Sequence, residues 1–133
     1  MPGKLLFEYA VIRVVPRVDR EEFMNVGVIV YCRDQKFLQI KYELDAARLL
    51  AFAPYIDIAE LEQRLQAFDK VCCGKPGGGP IGRLPLASRF RWLTAARSTI
   101  IQASAVHPGL TDDPALALEK LYDQLVAVPV NAI

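Results

Sequence analysis

The run Leu6 to Val15, Leu-Phe-Glu-Tyr-Ala-Val-Ile-Arg-Val-Val, constrains this chain more than any other segment, because both of its alternating faces are largely apolar. Successive side chains of an extended strand point to opposite sides. Phe7, Tyr9, Val11, Arg13 and Val15 therefore share one face, and Leu6, Glu8, Ala10, Ile12 and Val14 share the other. A strand greasy on both sides belongs in the middle of a sheet rather than at its edge. Pro16 ends the run, since proline inside a central ladder would remove a hydrogen-bond donor. Arg13 is the one charged interruption near its carboxyl end.

A charged connector, Pro16 to Asn25, leads to a second apolar run, Val26 to Cys32, and a third, Lys36 to Tyr42. Arg33-Asp34-Gln35 between them is short enough to close a hairpin. Gly27 conflicts with strand propensity and is expected to mark a bulge or a close approach of another backbone. Asp45 is positioned to cap a short helix that ends near Ala53, before Pro54. Asp57, with Glu60 three residues on, starts the clearest helix. Ile58, Leu61, Leu65, Phe68 and Cys72 recur at steps of three and four and give that helix one apolar stripe.

Between Gly74 and Gly82, five glycines and two prolines argue against regular structure. The segment is expected to be a flexible loop inside a single domain spanning residues 1–133, because about 50 residues beyond it are too few for a second core. Further on, Arg89 to Ala96 reads as a short helical or irregular stretch, and Ser98 to Ser104 as a fourth strand around Thr99, Ile100 and Ile101. Asp113-Pro114 opens a last helix, with proline at the first position where its missing donor costs nothing. Leu118, Leu121, Tyr122 and Leu125 give this helix its stripe, and it is expected to reach Ala127 before Pro129. The fold class is thus α+β, a small mixed or antiparallel sheet of three to four strands covered by two main helices.

Residues of apolar type make up 53% of the chain, above the usual ~45–50%, so a protein partner or a homodimer is expected to cover the excess. No apolar stretch approaches the ~20 residues that cross a bilayer. An acid at Glu8 comes before any signal-peptide core can form, which makes the cytoplasm the expected location. Cys32 stands alone and Cys72-Cys73 are adjacent, so no zinc site is expected and the thiols should be free. Net charge is only +1, yet Lys70 to Thr111 holds six basic residues and no acid. That block would form an anion-facing surface unless acids from elsewhere fold back on it.

Tyr9-Ala10-Val11-Ile12-Arg13-Val14-Val15-Pro16 and Glu22-Phe23-Met24-Asn25-Val26-Gly27-Val28, with Arg89-Phe90-Arg91-Trp92-Leu93 and Arg97-Ser98-Thr99-Ile100-Ile101 later, resemble a bacterial family classed as a domain of unknown function and numbered 3037. The resemblance covers roughly residues 5–127. It implies a compact bacterial domain and brings no catalytic residue with it.

Two arginine-rich sets are the candidates for binding an anion or a partner. Arg13, Arg17, Arg20, Glu22 and Asn25 flank the first connector, where guanidinium forks and a directional amide would suit a carboxylate or phosphate. Alternatively, Glu22 pairs with one of these arginines and Asn25 shapes the turn. Arg89, Arg91, Trp92 and Arg97 form the second set, where cations interleaved with aromatic rings would suit single-stranded nucleic acid. Without a zinc-finger, RNA-recognition or helix-turn-helix pattern, nucleic acid is the weaker partner class. The only histidine, His107, is a weak candidate for catalysis with Ser98 or Ser104 beside it, against a bland role in shaping its loop. Lys75 is followed by Pro76 and the glycine spacings fit neither a phosphate loop nor a dinucleotide fingerprint, so no cofactor is expected. The favoured class is a protein-interaction or regulatory module docking through apolar surface, with a small phosphate-handling enzyme and a single-stranded nucleic-acid-binding protein as alternatives.

Overall fold

The computed structural model describes residues 4–127. Its spine is β1 (Leu5–Val14), paired antiparallel with β2 (Met24–Cys32), which pairs in turn with β3 (Phe37–Tyr42). The other edge of β1 is shared by two short antiparallel strands, β4 (Ile101–Ala103) beside its carboxyl end and β5 (His107–Thr111) beside its amino end. The sheet therefore has five strands, one more than the upper expectation. Pro108-Gly109 reads locally as a turn, which hides β5 from pattern. Proline is tolerated there because β5 pairs only with β1, and an edge strand need not donate on both sides. Gly109 lies opposite Phe7, whose ring occupies the space a side chain would need: a Cβ at residue 109 would meet the ring at 2.5 Å.

Register changes by one residue between β4 and β5, and Ser104 bridges the break. Its backbone N–H donates to the Val11 carbonyl at 2.8 Å, while the Val11 N–H donates to the Ser104 hydroxyl, also at 2.8 Å. The hydroxyl proton goes to the Ala105 carbonyl at 2.9 Å. Ser104 thus stands in for the ladder where the backbone cannot, and it is the one buried polar side chain among the described residues.

A second irregularity lies in β2, where Ile12 pairs with Gly27 but Arg13 pairs with Asn25. Val26 is the extra residue. The bulge turns Val26 onto the same face as Ile29 and Tyr31, and turns Asn25 onto the opposite one. Gly27 also permits a close approach, because a Cβ there would meet the Tyr42 Cβ at 2.8 Å and the Lys41 carbonyl at 2.9 Å. Both explanations expected for this glycine hold together.

Helices cover both faces. On one, α1 (Ala46–Phe52), α2 (Ile58–Cys73) and α4 (Leu86–Leu93) pack on Ala10, Ile12, Val14, Ile29 and Tyr31. On the other, α5 (Pro114–Leu125) packs alone on Phe7, Val28, Val30 and Cys32. Two helices are therefore too few to describe the covering. Leu49, Leu61, Leu65, Phe90 and Leu93 are fully buried, each contributing about 1.5–3 kcal/mol relative to exposure. Asp45, Asp57 and Asp113 accept hydrogen bonds from the N–H groups of Arg48, Glu60 and Ala115, so all three expected caps are formed. The last helix closes with the Val126 and Ala127 N–H groups both on the Tyr122 carbonyl. Pro129, expected to mark its exit, lies outside the described residues.

The glycine-rich stretch is more regular than its composition suggests. Gly74 takes the left-handed conformation that ends α2 (φ 67°), after which Pro76–Gly78 form a 3-10 turn and Gly79–Gly82 one helical turn, α3. Gly78 lies so near α2 that a Cβ would meet the Lys70 carbonyl at 2.9 Å. Glycine here permits backbone-on-backbone packing. No helix among the described residues is long and apolar enough to cross a membrane.

Ser104→Ala leaves the buried Val11 N–H without its acceptor. Urea denaturation should show a loss of about 1–3 kcal/mol, the cost of one buried unsatisfied donor. A loss within error of zero would mean that the β4–β5 junction is not held in this way.

Candidate functional site

The connector after β1 pairs its own charges locally. Arg17 bonds Asp19 at 2.7 Å and Arg20 bonds Glu22 at 2.6 Å, both pairs on the surface, and each carboxyl is held below its usual range by the guanidinium beside it. Exposed pairs of this kind contribute little to stability. Asn25, turned by the bulge, donates from its amide to the Leu125 carbonyl at 3.0 Å and so ties β2 to the end of α5. It borders a concavity of about 230 Å³ shared with Glu43, Arg48 and Tyr122. Arg13 is different. Its guanidinium lies 4.0 Å from the centre of the Phe23 ring, its Nε is buried with no acceptor among the described residues, and burial lowers its pKa.

The basic block after α2 is only partly a surface feature. Arg89 donates to the Val71 and Cys72 carbonyls at 3.4 and 3.1 Å, closing the carboxyl end of α2. Gly74 makes room for it, since a Cβ there would meet the guanidinium at 2.5 Å. Arg91 makes a two-pronged pair with Glu8 at 2.7 and 2.9 Å. Arg97 donates to the carbonyls of Trp92, Leu93 and Ala95, capping α4, with its guanidinium 4.5 Å from the centre of the Trp92 ring and 5.3 Å from that of Phe68. Helix ends carry unsatisfied carbonyls and partial negative charge, and two of the three arginines answer them. Phe90 is fully buried against Tyr31. The interleaved cations and rings that would suit nucleic acid therefore do not form one array.

Trp92 and Arg97 of the second set nevertheless border a concavity of about 450 Å³ between α2, the glycine turn, α4 and β4. Phe68, Val71, Ile81, Trp92 and Ile101 line it, with Arg64 and Arg97 at its margins. Arg64 is paired to Glu60 at 2.9 Å, whereas Arg97 meets only carbonyls and rings among the described residues. Trp92, the aromatic member of the second set, is 38% exposed. Pattern did not reveal Phe68 as a partner of Trp92, because it reads simply as one member of the α2 stripe.

His107 stands across from Tyr9 at the start of β5, the rings 5.4 Å apart, on the sheet face that α5 covers. The 450 Å³ cleft opens on the other face, beside Ile101. Ser104 is committed to Val11 and Ala105. The arrangement of arginine, histidine and hydroxyl that an enzyme would use is thus not brought together, and Arg13, Asn25 and Arg97 border three different concavities. The cysteines are free, and burial pushes the Cys72 thiol far up, away from the reactive thiolate.

Tyr122 joins α5 to the end of β3, its hydroxyl donating to Glu43 at 3.0 Å. Burial first, and then that hydrogen bond, push its pKa up to about 12. A free phenol ionises near ~10. The native state therefore keeps a proton that the unfolded chain releases, so this contribution to stability is complete below the lower value and is lost as pH rises through the higher one. Absorbance titration should find one tyrosine ionising near pH 12, and Tyr122→Phe should remove it. Retention of that late step in the variant would contradict the assignment.

No curated protein and no solved structure matches the chain. A family model described as protein of unknown function, DUF3037, matches residues 9–126, from the β1 spine through α5. With that match spanning nearly its whole length, the chain belongs to the DUF3037 family.

Proposed function

We propose that this domain is a protein-interaction module that docks an acidic, apolar segment of a partner protein in the cleft between α2, the glycine turn and α4. The observation that carries the reading is Trp92: an indole left 38% exposed beside Phe68 and Ile81, roofed by a guanidinium that no carboxylate neutralises among the described residues. Aromatic side chains paired with arginine in a pocket are the usual anchors of interfaces. The margin adds to the charge. Lys70 lies along the glycine turn, where a Cβ on Gly77 would meet its side chain at 2.7 Å, and no acid occurs from Lys70 through Thr111. A partner with leucine or phenylalanine between glutamates fits this combination, apolar contact supplying affinity and the cations supplying orientation.

Dispersal of the polar candidates favours this reading over the enzyme alternative. Catalysis needs its groups within hydrogen-bonding reach of one substrate, and His107 lies across the sheet from the cleft. The nucleic-acid alternative loses Phe90 to the core and Arg89 to the end of α2.

Trp92 is the only tryptophan, so its fluorescence reports this cleft alone. Titration with short peptides that alternate glutamate with leucine and phenylalanine should give a saturable change, weakened by salt. Ala67→Glu, at an exposed position lining the cleft, should weaken binding by about tenfold or more through like-charge repulsion without affecting folding. No response to any acidic peptide, or equal binding of basic ones, would overturn the proposal.

A further inference from the structure

Arg13 poses a question that the cleft does not answer. It sits on the central strand, half-buried, and unlike Arg17, Arg20, Arg89, Arg91 and Arg97 it donates no side-chain hydrogen bond among the described residues. The nearby connector does not lack acids, but Asp19 and Glu22 are already taken by Arg17 and Arg20. The Nε is sealed from water with no acceptor. Stacking on Phe23 offsets part of that cost, roughly 0.5–2 kcal/mol for such a contact, and leaves the terminal nitrogens without a hydrogen-bond partner among the described residues. A buried Nε–H that meets no acceptor among the described residues calls for an explanation in terms of what binds it.

The surroundings define the chemistry. Arg13 borders a concavity of about 290 Å³ whose walls are Val15, Val18 and Phe23, and the last two are 50% and 43% exposed. Gln102 faces Arg13 across the β1–β4 ladder, and Asn25 faces it across the β1–β2 ladder. The three residues thus form one polar row crossing three strands. The Gln102 amide gives one hydrogen to the Thr99 carbonyl at 2.9 Å, which leaves the other for a ligand. Glu21 and Glu22 stand at the rim. Glu22 is neutralised by Arg20, but Glu21 pairs with no base among the described residues, so a dianion such as phosphate would be repelled where a monoanion would be tolerated. Exposed apolar walls around a single cation match a carboxylate on an apolar stem.

We infer that Arg13, with Gln102 beside it, holds the carboxylate of a small ligand whose apolar stem lies against Phe23, Val15 and Val18. The site lies near the α5 end of the opposite sheet face from the Trp92 cleft, and it stands or falls independently of the docking proposal. Because the Arg13 Nε–H is buried, its 1H–15N resonance exchanges slowly and reports the site directly. Titration of the full chain with butyrate should move that resonance saturably, while chloride or inorganic phosphate at equal ionic strength should not. The backbone amide of Phe23 and the side-chain amide of Gln102 should follow the same curve. In Arg13→Gln their response to butyrate should weaken by about tenfold or more, as expected when a charged hydrogen-bond partner is lost. An Arg13 resonance that butyrate leaves unmoved, one that chloride or phosphate moves as far, or an unchanged butyrate curve in Arg13→Gln would overturn the inference. If Arg13→Gln does not fold, the titration of the native chain decides alone.

Discussion

Everything in this domain is hung on β1, which is hydrogen-bonded along both edges and covered by helices on both faces. Such a strand has little solvated surface on which to hide an error of register, since a slip by one residue would exchange its two faces. Two local devices reconcile that demand with the rest of the chain. The Val26 bulge sends Val26 to the α2 face and Asn25 to the end of α5. Ser104 carries the hydrogen bonds across the step between β4 and β5, so two short strands together serve the length of one long one.

The same spine separates two kinds of surface. On the α2 face the helices leave an apolar cleft around Trp92, and on the α5 face the end of the sheet leaves Arg13 in a smaller pocket walled by Phe23 and valines. Each pairs exposed apolar atoms with a cation that has no carboxylate partner among the described residues. Large aromatic area supplies non-directional attraction, whereas a lone guanidinium supplies geometry and sign. His107 lines neither concavity.

Much of this was legible in the sequence wherever the signal was local. Three aspartates announced three helix starts, the β1 run announced a central strand, and Gly27 announced a bulge. β5 was not expected because turn chemistry and edge-strand tolerance share residues such as Pro108 and Gly109, and only pairing with β1 distinguishes them. Gly74 to Gly82 misled in a similar way: glycine admits flexibility, but it also admits a backbone pressed against α2. The acid-free basic block read either as an anion surface or as one answered by acids from elsewhere; Arg91 takes the second course with Glu8, whereas Arg89 and Arg97 satisfy carbonyls at helix ends, which a sequence does not display. Arg13 and Trp92 stood out by type, yet their surroundings depend on contacts from distant parts of the chain.

Native-state amide hydrogen exchange tests the central claim most directly, because local openings expose weakly held elements before the globally protected core. The account predicts that the amides of Ala10 to Val14 exchange most slowly and only through global unfolding, with the Val11 amide, held by the Ser104 hydroxyl, among them. Faster exchange in β1 than in α2 or α5 would show that the helices fold around something other than this strand, and would contradict the account.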